Sequence, residues 1–490
     1  MNTMLTSVTV NKSSIARWYG MAIGGGIIAA LLIANPAIHP LWALLGLLVL
    51  VATIEGLLRY PAVMLVPVIF IPQWKDLSVF RGLQSRVDLT LVSLTILCAV
   101  ILFNFIVALA RGGSAREFFA GQGKGIVAFF IFAGVVALSY SYTPAPNWGF
   151  TQATRLCGIG GLLFMSPFVL IRKEQDFRQF AVAFVFFAMA LAAEIIFFPR
   201  YAVTQWGWAY AVKTDIGGGW IIGMAILLLF YYPFAESPSS KWFWRLLCGP
   251  ILIVGLIAAT ARGPLVSLLL VFILTPLVLP RKRGASSKAL TSIGIVLALV
   301  AASIVATSLL PHVGGKYREK TREIERVLHG SWPGGTMGER LDFYQAALTE
   351  IPEKPVLGLG VGGWSVFYYG HDYKSYPHNL FLLVAVEEGL IGIIALAAFL
   401  WVVGSTIKRI LAVAGERYVV LFALVVFCFA VSMFSGDLDT NRLLWLWCGM
   451  TFAIARMLRL GPGMSQPSRR WERSGELSYA FPTSDADRTY

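Results

Sequence analysis

The sequence predicts an all-α polytopic membrane protein, with about 12 to 14 transmembrane helices and one large, mainly helical loop outside the membrane. Composition is the first reason. Hydrophobic residues make up 57% of the 490 positions and charged residues only 13%, with a mean hydropathy of +0.71. A soluble protein carries roughly 25% charged residues. The second reason is pattern: apolar runs of about 20 residues recur along the chain, and the alternation of barrel strands is missing. The third is the polar stretch from Pro311 to Pro377, too long and too rich in apolar anchors for a passive connection.

In chain order the apolar runs lie at 18–34, 41–58, 60–72, 88–110, 125–142, 153–171, 179–198, 215–233, 245–261, 263–280, 289–310, 379–407, 418–435 and 442–459. Lys12 and Arg17 precede the first like the start of a signal peptide, but no polar domain follows, so an uncleaved span is expected. The run 60–72 is short and contains Pro67, which fits a re-entrant segment; the runs on either side of Arg262 fit one broken helix or two. This divides the chain into N-terminal transmembrane helices at 1–310, the large loop at 311–377, C-terminal transmembrane helices at 378–460 and a disordered tail at 461–490.

Short loops set the orientation. Arg111, Arg116, Lys124, Arg172, Lys173, Arg178, Lys241, Arg245, Arg281, Lys282, Arg283, Lys288, Lys408, Arg409 and Arg417 fall on one side, while loops 35–40 and 143–152 carry no Lys or Arg. The positive-inside rule makes the first side cytoplasmic, with both termini, and places 311–377 outside. Segment 73–87 breaks the trend mildly and reads as an interfacial helix. Flanking cations of this kind account for the net charge of +14 without nucleic acid. Cys98, Cys157, Cys248, Cys428 and Cys448 lack CxxC spacing and read as small buried hydrophobes.

Within the loop, Lys316 to Leu328 alternates charges at helical spacing and reads as a solvated helix. Glu339 to Ile351 reads as an amphipathic helix begun by Arg340, with Leu341, Tyr344, Ala347, Leu348 and Ile351 on one side. Gly358, Gly360, Gly362 and Gly363 follow Pro352 and Pro355 as a flexible or closely packed turn; without a βαβ setting they do not read as a phosphate cradle.

Chemistry points to a few residues. His378, after Tyr376-Pro377 and before Asn379, heads an apolar helix; it is either a capping histidine or a neutral general base. Arg262, in an apolar stretch and followed by Gly263-Pro264, is expected to face a cavity or an anionic partner. It suits a lipid pyrophosphate, or an ion pair with Glu387, Glu388 or Asp437. Arg155, Arg200, Lys213, Arg340 and Arg442 are further outer cations, each by itself a fair headgroup anchor. Glu387 and Glu388 read as bundle glue about nine and ten residues into the last long helix. No metal-ligand spacing and no Walker motif is present, and Asp437 and Asp439 stand alone in their loop, so neither a metal nor another cofactor is indicated.

These residues give the chain a resemblance to the O-antigen ligase and polymerase superfamily, membrane glycosyltransferases of the GT-C type. The resemblance rests on His378-Asn379, nine residues, Gly389, two residues and Gly392, directly after a large outer loop. The arginine-led segment from Arg340 to Pro355, Gly358 and Gly360 is similar to the family's loop, and Arg262-Gly263 to its outer-facing arginine. Val266 stands where many members have leucine, and no Asn-Pro-Asn follows Arg200, so Arg200 and Lys213 are candidates for the second donor cation.

The resemblance implies a metal-independent, inverting transfer at the periplasmic face of the bacterial inner membrane, in a protein embedded in the bilayer. A glycan would move from undecaprenyl pyrophosphate to another glycan or to lipid A-core. His378 would act as base, Arg262, Arg340, Arg200 and Lys213 would hold the pyrophosphate, and Asn379, Gly389 and Gly392 would support the motif. Joining of repeat units by a polymerase of the same family is the alternative. A transporter or flippase is a third possibility, against which the missing internal repeat counts.

Overall fold

The computed structural model describes residues 60–74, 89–110, 112–197, 201–203, 210–212, 216–234, 238–278 and 335–459. The two first apolar runs, the part beyond Trp74 of the interfacial helix expected at 73–87, the run 289–310, the solvated helix at 316–328 and the tail 461–490 lie outside them, as do Arg200 and Lys213. The described chain is helical, with five helices long and apolar enough to cross a membrane and several shorter apolar ones. It is a multi-span membrane protein. One small exception to the all-α expectation is an antiparallel pair, β1 (Tyr201–Val203) with β2 (Tyr210–Val212), which leaves the class unchanged.

A 3₁₀ turn, Pro61–Met64, leads into α1 (Leu65–Trp74). Pro67 does not break α1, because it stands in the first turn, where backbone N–H groups have no helical acceptor. Next come α2 (Leu89–Ala110), the short α3 (Ala115–Phe119) and α4 (Gly123–Ser139). The segment 143–152, expected as a loop, is largely helix: Pro146 at its first position starts α5 (Pro146–Arg155), and Asp372 accepts the N–H groups of Asn147 and Trp148 at 2.7 and 2.9 Å. A π turn, Leu156–Gly160, joins α5 to α6 (Gly161–Leu170).

Then follow α7 (Glu174–Phe197), α8 (Ile216–Tyr231), α9 (Pro238–Ala258) and α10 (Arg262–Val278). Thr260, at φ 55, makes the tight left-handed turn that separates α9 from α10, so the runs around Arg262 are two helices. After α11 (Gly335–Glu350) and α12 (Gly363–Tyr369) the chain ends its described part with α13 (Leu380–Glu387), α14 (Gly389–Ala414), α15 (Val419–Ser432) and α16 (Arg442–Met457).

The helices pack as one bundle. The helix α16 lies on α6, α14 on α4, α8 and α7 on α9, and α10 on α15. Small residues permit the closest approach: a Cβ at Gly449 would stand 2.0 Å from the Phe164 carbonyl oxygen. Aromatic rings fill the centre, with Phe129 stacked on Phe164 at 4.2 Å and Trp445 against Phe129, Phe132 and Phe399. Cys248, Cys428 and Cys448 are buried as expected, but Cys98 and Cys157 are exposed on the outside of the bundle.

Two sequence expectations are corrected in the region that frames the site. The last long helix is not continuous: it breaks at Glu388, so Glu387 and Glu388 lie at a junction between α13 and α14. Gly389 makes the break, at φ +61 with Val356 O 2.4 Å from where a Cβ would be. The glycine-rich turn satisfies the broken ends. Leu359 and Gly360 donate to the carbonyls of Val386 and Glu387 at 2.8 and 2.7 Å, and Leu390 and Ile391 donate to Pro355 and Val356 at 2.8 and 3.3 Å. It is a close-packed turn.

The second correction concerns α11. It starts at Gly335, before Arg340, and it buries Phe343 and Ala347 while Leu348 is 61% exposed. Tyr344, Ala347 and Ile351 pack on the side expected, and Phe343 joins that stripe where Leu348 was expected.

Candidate functional site

His378 occupies the residue before a well-capped helix. The side chain of Asn379 is the cap: its Oδ1 accepts the N–H groups of Phe381 at 3.0 Å and Leu382 at 3.2 Å. His378 is therefore not the capping residue. It takes the left-handed conformation, φ 56, uncommon for a side-chain-bearing residue though less so for histidine. Its half-buried ring lies between two others. Phe343 of α11 is near-parallel at 6.0 Å, and Tyr376 meets it edge-on at 4.6 Å.

Two effects act on this imidazole. Burial, and then the positive charge of Arg340, push it down to about 4. The ring is neutral near pH 7, and its Nδ1 is buried with no hydrogen-bond partner. The sequence points to the helix start as the reason for a neutral ring; burial and Arg340 are the causes found here. Arg340 thus belongs to the electrostatic environment of His378, and it acts on Tyr376 as well.

Arg262 opens α10 and comes to the same end of the bundle by another route. Its neighbour Gly263 lies against Phe434, where an added Cβ would stand 3.1 Å from the Phe434 Cβ. Phe434 belongs to the turn between α15 and α16, which also receives α11: the Tyr344 hydroxyl donates to Met433 O at 3.5 Å. Asp437, one of the carboxylates considered for Arg262, pairs with Lys374 at 3.5 Å. Glu387 accepts the Trp364 N–H at 3.3 Å, holding the glycine-rich turn to the α13–α14 junction. Gly392 packs one helical turn into α14, against Glu388 and Val384. Gly389 and Gly392 shape the backbone at the α13–α14 junction, at the far end of α13 from His378.

Sequence reasoning treated the remaining cations one at a time and missed their grouping. A cavity of ≈ 570 Å³ lies beside Tyr376, and Arg155, Lys374 and Arg442 all line it. Arg155 pairs with Asp439 at 2.8 Å. Lys374 sits 5.3 Å over the Trp148 ring in addition to its pair with Asp437. Burial holds Asp437 above the ordinary carboxylate range, against the pull of Lys374. Burial and the charge of Asp437 push the Tyr376 hydroxyl up to about 12, and a hydrogen bond with Ser435 works against them. Tyr376 is the wall shared by the cavity and His378.

The fold and this site define a class first: a multi-span membrane protein with a polar, cation-rich site at the end of its bundle. Comparison with known families then narrows it. Residues 247–397 match a family model described as O-antigen ligase. The match supports the O-antigen ligase/polymerase superfamily and a glycosyltransferase-like enzyme, and the matched segment contains Arg262, Arg340 and His378. No curated protein matches the chain.

Proposed function

We propose that the protein transfers a glycan from undecaprenyl pyrophosphate to a sugar hydroxyl on an acceptor, in the manner of an O-antigen ligase. The observation that carries this is His378: a neutral, half-buried imidazole with an unpartnered ring nitrogen, set between Phe343 and Tyr376 beside a cationic cavity. The family match of residues 247–397 supports it.

In this reading the acceptor hydroxyl attacks the anomeric carbon while His378 takes its proton. The new glycosidic C–O bond forms as the bond to pyrophosphate breaks, and the pyrophosphate leaves with the electron pair. A single displacement of this kind inverts the anomeric centre. Negative charge grows on the leaving group, and Arg262 and Arg340 offset it without calling on a metal. Arg200 and Lys213 remain candidates for a further cationic contact. An anionic donor beside Arg340 would also cancel part of that arginine's effect on His378, bringing the base closer to working pH as the substrate binds. The reaction takes place at the periplasmic face of the bacterial inner membrane, with lipid A-core or another glycan as acceptor.

A gel of carrier-linked and surface glycans tests this in a strain lacking the gene, complemented with wild type or His378→Ala. Long chains stranded on the carrier with His378→Ala, and restored to the acceptor by wild type, are expected. Single repeat units still reaching the acceptor would make the enzyme a polymerase. Unchanged glycans would defeat the assignment of His378.

A further inference from the structure

His378 reaches the head of α13 on a strap without helix or strand, and left-handed residues bound that strap: Gly370 at φ 73 and His378 itself at φ 56. The strap is tied to α5. That helix has no cap of its own, because Ala145 stands at the cap position and offers no side-chain acceptor to the free N–H groups of the first turn. Asp372 supplies it from 225 positions away: its Oδ2 accepts the Asn147 N–H at 2.7 Å and its Oδ1 the Trp148 N–H at 2.9 Å. A carboxylate that takes two backbone N–H groups at a helix start is held both by charge and by direction.

The α4–α5 corner is a firm post for this tie, since it also grips the glycine-rich turn. The Tyr142 hydroxyl donates to Leu357 O and the Thr143 hydroxyl to Val361 O, each at 2.7 Å, and Ser139 Oγ accepts the Val361 N–H at 3.0 Å. Gly149 lies so close to Val361 that a Cβ would stand 2.4 Å from the carbonyl oxygen. Farther along the strap the ties are looser: Lys374 spans 3.5 Å to Asp437 with a half-exposed side chain, and its other contact is the Trp148 ring at 5.3 Å. The imidazole does little to hold itself, because its Nδ1 is buried with no hydrogen-bond partner. Its place depends on the two flanking rings and on a left-handed backbone that only a restrained chain retains.

We propose that Asp372 is the positioning residue of His378: by tying the strap to the start of α5 it keeps the imidazole in its slot between Phe343 and Tyr376. The role rests on His378 as the base of the proposed transfer, and Asp372 itself touches no reacting atom. His378 is then held from both sides, by the Asn379 cap after it and by the Asp372 tie before it. With the tie cut, the strap can turn about its two left-handed ends, and the ring leaves its slot for part of the time. A displacement of about 1 Å at a group that must meet a hydroxyl proton is enough to cost about a hundredfold in rate.

Two measurements on the full-length protein in detergent test this, on wild type, Asp372→Ala and Asp372→Asn, with melting temperature as the check on folding. The first needs no transfer: it is the rate at which diethyl pyrocarbonate modifies His378 at pH 7, read by mass spectrometry. Asp372→Ala is expected to raise that rate about fivefold or more, the effect of losing one helix cap. Asp372→Asn, which keeps one acceptor oxygen for α5, should fall between the two. The second is single-turnover transfer from a carrier-linked donor. Asp372→Ala is expected to slow it about tenfold or more with donor affinity within about twofold of wild type, and Asp372→Asn to recover part of the loss. A cap that serves stability alone would lower the melting temperature and leave His378 modification at the wild-type rate in the folded protein, which would overturn the proposal. Wild-type transfer by Asp372→Ala, where His378→Ala is inactive, would overturn it too. Should Asp372→Ala fail to fold, Asp372→Asn carries the test, and a wild-type modification rate there would be the contrary result. Where His378→Ala is itself active, the transfer reading fails instead, and the modification rates still decide whether Asp372 holds the ring.

Discussion

Two arginines on one helix show how differently the ends of this molecule use charge. Arg456, near the end of α16, donates to three backbone carbonyls: Phe118 at 2.8 Å, Phe168 at 2.6 Å and Ile171 at 2.7 Å. Arg442, at the start of the same helix, bonds to nothing among the described residues and lines a cavity. The neighbours follow suit. At the Arg456 end Arg417 pairs with Glu174, Arg178 donates to Phe234 O, and Arg172 lies 4.5 Å from the Phe118 ring centre. At the other end His378 keeps a buried nitrogen unpartnered and Lys374 spans a longer 3.5 Å pair. A cation whose donors are all taken by the protein closes a structure. One whose donors are left over is available to a ligand.

Substitutions can break this comparison or sharpen it. The largest effect is expected at Arg456: replacing it with Met leaves three carbonyls at the α3, α6 and loop junction without their shared donor. That should cost about 3 kcal/mol, seen as a lower melting temperature in detergent, with little change in transfer by the protein that remains folded. Arg442→Gln should do the reverse, with a melting temperature equal to or above wild type. Equal loss of stability in both variants would erase the distinction between the two ends.

A smaller effect is expected from Arg340→Ala. His378 accepts a proton only while neutral, so activity falls as pH drops through its pKa, about 4 in the free protein. Burial remains in the variant but the repulsion from Arg340 is gone. The pKa should therefore rise toward the ordinary value of 6.5, and the acid limb of kcat/KM should move to higher pH. A limb that stays in place would separate Arg340 from His378.

Much of the closed architecture was legible in the sequence, and less of the open end. The membrane class follows from composition alone, because a bilayer demands it. The spacing from His378-Asn379 to Gly389 was enough to mark a helix start and a glycine of consequence, since caps and left-handed turns depend on local residue type. The break at Glu388 was not legible. It exists because backbone groups of Pro355 to Gly360 fill the broken helix ends, and backbone partners have no side-chain signature. On α11 only Leu348 was misplaced: it is as apolar as Phe343, and only packing decides which of the two is buried.

The cavity was the least legible feature. Arg155, Lys374 and Arg442 come from three separate segments, and the Arg155–Asp439 pair joins residues 284 positions apart. Taken singly, Arg155 and Arg442 looked like headgroup anchors, and Lys374 drew no notice. Only the packing of α5, the 370–377 loop and α16 makes them one wall.

The most direct test of the account is the single-turnover rate of glycan transfer by purified protein from a carrier-linked donor, wild type against His378→Ala, at pH 7. With the base removed and the fold intact by melting temperature, the rate should fall roughly 10²- to 10⁴-fold. A His378→Ala protein that binds donor and transfers at the wild-type rate would contradict the central claim, and His378 would then be a ring packed between Phe343 and Tyr376 and nothing more.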